Sequence, residues 1–184
     1  MNINLGNLNF VPALEFTELL AKPVADALSA SAGAEGVGVA EIDANLSDTE
    51  SFCDYYKVDT HQAANCVILE ATEGGKNWLA ACVILGSAKA DVNGAARRAL
   101  CARRVSFAPM ETAVRETKME RGAITPLGLP KEWPILIDKA VANLEYVIIG
   151  SGIRGSKLAV SGSFLASLPN ATVVEGLSKA NGDF

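Results

Sequence analysis

The spacing of apolar residues along this chain predicts helices and strands in alternation. Residues 12–30 carry leucine and valine at close to helical spacing, and a later segment begins with a candidate capping box, Ser47 with Glu50. The predicted helices span residues 12–30, 47–56, 93–102, 109–118 and 162–168. Short apolar runs rich in β-branched residues predict strands at 37–42, 66–70, 79–85, 105–107, 135–137, 146–149, 158–160 and 172–174.

The order of these elements indicates the fold class. Gly74 and Gly75 separate two apolar segments, which predicts a β-hairpin. Hairpins and crossovers are both expected, so we predict a mixed α/β fold, a mixed sheet wrapped by helices, rather than a doubly wound parallel one. A chain of 184 residues suits a single domain, 1–184, with the extreme ends 1–10 and 178–184 predicted to be loose.

Two glycine-containing loops interrupt the second half of the chain. The first, residues 122–130, has two glycines and two prolines within nine positions, and the second is residues 150–155. The second loop matches the pattern G-x-G-x-x-G. A strand rather than a helix is predicted to follow it, which argues against a dinucleotide-binding fold. If the loops face each other, their N–H groups could hold a carbonyl or a phosphate. The alternative is two tight turns that need glycine for steric reasons.

The usual signatures of enzymes and metal sites are missing from the sequence. It has no G-x-S-x-G, P-loop or H-E-x-x-H motif, and its four cysteines are widely spaced with one histidine, His61. This pattern argues against zinc and predicts buried thiols. No apolar run approaches the roughly 20 residues of a membrane helix, and the first residues do not resemble a signal peptide. We therefore expect a cytoplasmic protein without a membrane partner.

Charge is distributed unevenly along the chain. The formal net charge is −5, yet residues 1–92 carry −9 and residues 93–184 carry +4. Arginines are concentrated at positions 97, 98, 103, 104 and 115. Such a cluster could contact phosphates, since nucleic-acid affinity depends on lysine and arginine. The alternative is that these arginines are ordinary solvated faces of helices.

The second half of the chain resembles the YbaK/EbsC family, free-standing relatives of the prolyl-tRNA synthetase editing domain. Residues 121–128, Arg-Gly-Ala-Ile-Thr-Pro-Leu-Gly, are similar to its G-x-x-x-P loop. Residues 134–138 resemble the strand that follows that loop, and 148–155 resemble its second glycine loop. Residues 158–168 are similar to its closing strand and helix. The resemblance covers roughly residues 36–177.

The resemblance implies a fold and a reaction. The expected fold is a barrel-like, largely antiparallel or mixed sheet surrounded by helices. The expected reaction is hydrolysis of the ester bond of mischarged aminoacyl-tRNA, in trans, without a metal or other cofactor. Editing is needed because a binding pocket distinguishes one methylene by only about 1–3 kcal/mol. The expected partners are aminoacyl-tRNA and an aminoacyl-tRNA synthetase.

The resemblance also assigns roles to individual residues. Those expected to act in catalysis are Asn65, Gly122, Pro126 and Gly150. Those expected to bind the substrate are His61, Ala123, Ile124, Thr125, Ser151, Gly152 and Arg154. The arginine cluster, rather than the resemblance, supplies the residues expected to contact tRNA, which are Arg97, Arg98, Arg103 and Arg104.

One of these positions departs from the family pattern. The strand that usually begins Ala-Lys reads Ala64-Asn65 here, so Asn65 stands where the lysine most associated with activity is expected. A neutral amide donates hydrogen bonds but supplies no charge, and charge-assisted bonds are about twice as strong. Lys57, His61 and Arg154 are the candidates for a compensating charge. The alternative function is an impaired relative that binds tRNA, a synthetase or a small aminoacyl-like ligand.

Overall fold

A computed structural model describes residues 3–180 of the chain. The strands are β1 (Val11–Pro12), β2 (Gly38–Glu41), β3 (Ala64–Glu73), β4 (Lys76–Leu85), β5 (Ala88–Ala90), β6 (Arg104–Phe107), β7 (Ile135–Asp138), β8 (Val147–Gly150), β9 (Ser156–Val160), β10 (Ala171–Val174) and β11 (Ser178–Ala180). The α-helices are α1 (Lys22–Ser29), α2 (Thr49–Tyr56), α3 (Arg97–Ala99), α4 (Met110–Thr117), α5 (Lys139–Ala142) and α6 (Gly162–Ala166). Short 3-10 or π turns lie at Thr17–Leu19, Ala34–Gly36, Ala44–Leu46, Thr60–Gln62 and Val92–Ala96.

These strands form three sheets rather than one closed barrel. The first sheet has the order β1-β2-β9-β8, the second β10-β7-β4-β3-β6 and the third β11-β5. Within the described residues β7 pairs in parallel with β4 and β10, and the other strand pairs are antiparallel. A parallel bridge between Ala63 and Ile148 links the beginning of β3 to β8. The predicted mixed α/β class is confirmed.

The β3–β4 hairpin is the longest regular unit and organises the second sheet. Gly74 and Gly75 both have positive φ, 55° and 79°, which is the conformation that a two-residue hairpin turn requires. The turn sets the register, in which Glu73 pairs with Lys76 and Asn65 pairs with Ile84. The two predicted strands at this place are confirmed, and each extends further than its apolar run.

The hairpin has hydrophobic cores on both of its faces. Ala81 and Val83 of β4 belong to a core that includes Leu158 of the first sheet. Cys82, between them, belongs to a second core that includes Leu69. Successive residues of a strand point to opposite faces, so an uninterrupted apolar run places side chains in both cores.

A third core holds α2 against the outer face of the first sheet. Phe52 is buried there with Ile148 and Ala159, which are partners across β8 and β9. Of the ends predicted to be loose, residues 3–10 include the buried Ile3 and Phe10, and Ser178–Ala180 pairs with β5. Residues 1–2 and 181–184 lie outside the described residues.

All eight predicted strands are present, but several predicted helices were wrong in extent. The helix predicted at 12–30 begins at Lys22, with Pro23 in its first turn. Before it, the Ala21 N–H donates to the Ser151 carbonyl at 3.1 Å instead of continuing a helix. The segment predicted as a helix over 93–102 starts as the π turn and ends at Cys101, whose φ is 50°.

The predicted capping residue of α2 was also wrong. Asp48 caps the helix by accepting from the Ser51 N–H at 3.0 Å, and its pKa is lowered chiefly by that hydrogen bond. The Ser47 hydroxyl instead accepts from the Arg154 Nε at 2.9 Å. The short elements β1, β5, β11 and α5 carry too few residues to give a periodic signal and were missed.

Removal of the α2 cap provides a test of this local structure. We expect Asp48→Ala to lower the free energy of unfolding by about 1 kcal/mol, because an N-terminal N–H of the helix loses its acceptor. Denaturant unfolding followed by circular dichroism measures the change. Asp54→Ala, an exposed position of the same helix, is the control and should change it by less than about 0.5 kcal/mol. Equal effects of the two substitutions would contradict the cap assignment.

Candidate functional site

A cavity of about 370 Å³ lies where the first and second sheets meet. Its lining comes from the start of β3, the end of β6, α4, the first glycine loop, and β8 and β9. The lining residues are Ala64, Asn65, Cys66, Val67, Ile68, Phe107, Ala108, Met110, Ala113, Gly122, Ile124, Gly150 and Lys157. The cavity therefore has an apolar wall and a smaller polar part, the usual composition of a small-ligand site.

The two glycine loops contact each other beside this cavity. The Gly152 N–H donates to the Ala123 carbonyl at 2.9 Å, and the Glu120 N–H donates to the Gly152 carbonyl at 2.8 Å. A Cβ added to Gly150 would lie well inside van der Waals distance of the Ala123 carbonyl oxygen. The close approach therefore requires glycine at position 150. The loops face each other, which is the condition for a backbone-lined site.

The rest of the first loop is packed into the protein. Gly128 has a φ of 77° and lies against the Pro23 carbonyl at the start of α1, where a side chain would collide with backbone. Thr125 is fully buried, its N–H points to the Met119 sulfur at 3.5 Å, and its hydroxyl has no hydrogen-bond partner. Of the predicted residues in this loop, Gly122 and Ile124 line the cavity; Ala123, Thr125 and Pro126 lie outside its lining.

The predicted residues of the second loop mainly brace the structure. The buried Ser151 hydroxyl bonds the Ser156 hydroxyl at 2.7 Å. Arg154 donates to the Ser47 hydroxyl at 2.9 Å and to the Ala44 carbonyl at 2.8 Å, so it anchors the segment before α2. Of the predicted residues in this loop only Gly150 lines the cavity.

Asn65 lines the polar part of the cavity and is oriented by a neighbour. The Thr49 hydroxyl, at the start of α2, donates to the Asn65 Oδ1 at 2.7 Å. His61 lies outside the lining, in an exposed turn where its ring contacts Asp59 at 3.0 Å. Lys57 is exposed and lies 3.7 Å from Asp54. The sequence analysis named three residues that could compensate for the charge missing at position 65. None of them belongs to the cavity lining: they are Lys57, His61 and Arg154.

Lys157 is the charged residue of the cavity lining, and the sequence analysis missed it. It lies in β9, is 9% exposed, and donates from Nζ to the Ser47 carbonyl at 2.8 Å. The Nζ also lies 5.1 Å from the centroid of the Phe52 ring. Burial lowers the pKa of Lys157, an effect that nearby Cys53 and Asp48 only partly oppose. A lysine directly before the apolar run at residues 158–160 was the available signal.

Cys66 is the cavity residue with the side chain of a nucleophile. The residue as a whole is partly exposed, but its thiol is buried, and this burial raises the pKa far above the ordinary value. Burial likewise raises the pKa of Cys82 to about 12. Because the thiolate is the reactive form, both residues are protonated at neutral pH and behave as apolar core residues.

Two of the arginines predicted to form a basic surface lie at the start of β6, the strand whose other end lines the cavity. β6, which ends at Phe107, is an edge strand of the second sheet and carries Arg104 at its start, with Arg103 just before it. Both arginines and Arg98 are exposed, while Arg97 is partly buried and donates to the Asn93 carbonyl at 2.9 Å. Phe107 is 60% exposed and Met110 45%, so an apolar rim separates the arginines from the cavity.

Comparisons with known proteins place this architecture in a family. The family model described as aminoacyl-tRNA editing domain matches residues 43–168, more than half of the chain. The protein belongs to the aminoacyl-tRNA editing domain family. The matched segment contains both glycine loops and every residue of the cavity lining. A search of curated proteins found no match.

Solved structures support the editing-domain fold. A proposed trans-editing enzyme for prolyl tRNA synthetase is 19% identical with a TM-score of 0.72, covering 88% of this chain and 97% of its own. A scaffold protein from a study of epitope grafting by computational design is 18% identical, with a TM-score of 0.73 and the same coverages, 88% and 97%. The hypothetical protein APE2540 is 20% identical with a TM-score of 0.64, covering 72% of this chain and 85% of its own.

Two further properties of this editing-domain protein concern metal ions and membranes. Within residues 3–180, no group of three or more histidine, cysteine, aspartate or glutamate side chains is placed to hold a metal ion. No helix in the same part of the chain is long and apolar enough to cross a membrane.

The contact between the loops can be tested at Gly150. We expect Gly150→Ala to destabilise the protein by about 1–3 kcal/mol, because the added methyl group must displace the Ala123 carbonyl. Thermal and denaturant unfolding measure the change. Gly155→Ala, in the same loop but with open space within 4 Å of the added methyl group, is the matched control and should be tolerated. If both variants unfold like the wild type, the loops do not depend on a glycine at position 150.

Proposed function

We propose that this protein hydrolyses the ester bond of mischarged aminoacyl-tRNA in trans, with the aminoacyl group bound in the cavity of about 370 Å³. The observation that carries the proposal is the position of this cavity. It lies beside two glycine loops that contact each other, within the segment matched by the editing-domain model. The deacylase activity, its substrate and the roles of individual residues are parts of the proposal.

The size and lining of the cavity support an aminoacyl ligand. Its volume lies at the lower end of the range of ligand pockets, about 300–1,000 Å³, which suits an amino acid better than a nucleotide. Ile68, Ala113 and Ile124 offer an apolar wall for a small side chain. Small amino acids are those that a synthetase misactivates, because one methylene contributes only about 1–3 kcal/mol of discrimination.

The polar part of the cavity suits the ester group. With the carbonyl near Gly122 and Gly150, a water molecule adds to the carbonyl carbon and the carbonyl oxygen becomes negatively charged. The bond from that carbon to the ribose oxygen then breaks, and the ribose oxygen takes the proton that the water releases. The products are the free amino acid and tRNA. Fixed donors around the oxygen that becomes negative lower the barrier to such a step.

Water is the nucleophile in this proposal, because neither Cys66 nor His61 offers an activated side chain in the cavity. Cys66 is protonated at neutral pH, since burial raises the pKa of its thiol. His61 lies outside the lining. The Asn65 amide, held by Thr49, can orient the water or the ester but cannot act as a general base.

The surface beside the cavity suits the acceptor end of tRNA. Phe107 and Met110 form an exposed apolar rim at the cavity, and an exposed aromatic ring is a platform on which a base can stack. Arg98, Arg103 and Arg104 are exposed, and in this proposal they contact the phosphates that precede the terminal nucleotide. An acidic average charge is compatible with such a local basic surface.

The deacylase proposal predicts turnover with at least one mischarged tRNA. We expect the protein to accelerate release of a small amino acid from a non-cognate tRNA at least tenfold over buffer, as measured with a panel of radiolabelled aminoacyl-tRNAs. The correctly charged form of the same tRNA is the control and should be hydrolysed more slowly. No acceleration with any member of the panel would overturn the proposed activity.

The neutral Asn65 favours a second candidate function, a binding protein of the same fold. The side chain is a neutral amide, so position 65 presents no charge to a ligand. Its Oδ1 already accepts a hydrogen bond from the Thr49 hydroxyl. Such a protein would bind tRNA, a synthetase or a small aminoacyl-like ligand without turnover. Salt-dependent tRNA binding combined with no hydrolysis in the panel would favour this function over deacylation.

Both candidate functions can include tRNA contact, which the arginines test. We expect Arg103→Gln with Arg104→Gln to weaken binding of every tRNA and to reduce the slope of log affinity against log salt by about one to two. Filter binding at several salt concentrations measures both. Lys131→Gln with Lys139→Gln removes the same charge near β7, away from the β6 edge, and is the matched control. Equal losses in both double variants would contradict a tRNA surface at β6.

A further inference from the structure

Within residues 3–180, the buried Lys157 ammonium at the polar part of the cavity has no negatively charged partner in contact. The contacts of the Lys157 Nζ are the Ser47 carbonyl at 2.8 Å and the Phe52 ring, 5.1 Å from its centroid. An ammonium has three donors, of which the Ser47 carbonyl takes one. A buried charge is costly unless it is paired and hydrogen-bonded, so this ammonium is placed to donate a further hydrogen bond to a ligand oxygen.

Lys157, Gly150 and Asn65 form one row across three neighbouring strands. Ala63 of the chain before β3 bridges Ile148 of β8 in parallel, and Ile148 pairs with Ala159 of β9. Two residues further along β3 and β8 are Asn65 and Gly150, and Gly150 pairs with Lys157. All three residues of the row line the cavity.

The side chains at the two ends of this row lie on the same face of the strands. Asn65 bonds Thr49 and Lys157 bonds Ser47, so both side chains reach the segment that enters α2. Gly150 lies between them, and the Ala123 carbonyl oxygen occupies the place that a side chain at position 150 would take. The row therefore places one positive charge and one neutral amide beside the loop contact.

We propose that Lys157 supplies the positive charge of the cavity and donates a hydrogen bond to the carbonyl oxygen of the bound aminoacyl ester. This inference rests on the proposed deacylase function. The ester oxygen gains negative charge as water adds to the carbonyl carbon, so the interaction strengthens in the transition state. The charge absent at position 65 is provided from β9 instead, by a residue in the same row.

Burial suits the ammonium to this role. Desolvation lowers the pKa of Lys157, so a ligand that brings negative charge close to the ammonium stabilises its charged form. In a site shielded from water the attraction between the ammonium and the developing oxyanion is stronger than at a surface. Lys157 also joins the cavity to the segment before α2, and the test must separate these two roles.

Lys157→Met is the principal variant, because it keeps the length of the side chain and removes its charge. We expect kcat for deacylation of the best substrate of the panel to fall about 100-fold and KM to rise up to about tenfold, because the hydrogen bond is already made to the bound ester and strengthens in the transition state. Ser47→Ala is the structural control: it removes the Arg154–Ser47 bond of the same segment while leaving the Ser47 carbonyl in place. Its kcat should stay within threefold of the wild type.

The second variant moves the charge within the row. We expect the double variant Asn65→Lys with Lys157→Met to have a kcat at least tenfold higher than that of Lys157→Met alone, because the new ammonium lies in the same row and lines the same cavity. A purely structural role for Lys157 would not be repaired from β3. Circular dichroism and the melting temperature establish that each variant is folded. If Lys157→Met is not, Lys157→Gln, which retains a donor but no charge, replaces it.

Binding of a stable ligand separates failure of this inference from failure of the proposed function. The probe is 3′-alanylamino-3′-deoxyadenosine, an amide analogue of the aminoacylated terminal nucleoside, measured by calorimetry. We expect Lys157→Met to weaken its binding about tenfold and Ser47→Ala to leave it unchanged, since a charge-assisted hydrogen bond is lost only in the first.

Each outcome decides between the possibilities. Wild-type hydrolysis with an unchanged kcat in Lys157→Met, or an equal fall in Ser47→Ala, overturns the role of Lys157 and leaves the deacylase function standing. Absence of wild-type hydrolysis overturns the deacylase function. The analogue then tests Lys157: selective weakening in Lys157→Met supports a ligand contact. Equal affinities, or no binding by the wild type, overturn it.

Discussion

The close approach of two backbone segments, Gly150 to the carbonyl of Ala123, is the constraint on which the site depends. It brings the end of β8 against the first glycine loop, and the hydrogen bond from Gly152 to the same carbonyl fixes the distance. The same loop contacts α1 through Gly128, so strand, loop and helix are held as one unit. A side chain at position 150 would separate the loops, and with them two walls of the cavity.

The second physical feature is a charge held inside the protein. Lys157 is buried beside Gly150, with a carbonyl and an aromatic ring as its contacts. Protein interiors accept such a charge only where hydrogen bonds or a ligand compensate for its lost hydration. Lys157 gives the cavity a positive charge, because the other residues of the lining are uncharged. It also connects the chemistry of the cavity to the segment that enters α2.

Local patterns predicted the strands well and the helices less well. The glycine pair at 74–75 and the apolar runs around it predicted the hairpin correctly, because turn conformation and side-chain alternation are properties of neighbouring residues. The helix predicted over 12–30 was wrong at its start, since Ala21 bonds the distant Ser151. The capping residue of α2 was wrong because Ser47 is engaged by Arg154, over a hundred residues away.

By itself the sequence determined the mixed α/β class, the two glycine loops and the resemblance to editing domains, because each is written in neighbouring residues. Only the tertiary structure decided which residues of those loops reach the cavity. It left Gly122, Ile124 and Gly150 in the lining and directed Arg154 to a bracing role. It also decided where the charge lies: Asn65 and Lys157 are 92 positions apart in the chain and line the same cavity through the pairing of β8 with β9 and the bridge to β3. Strand pairing is a long-range property, so no local pattern around Lys157 could reveal that it shares a cavity with Asn65.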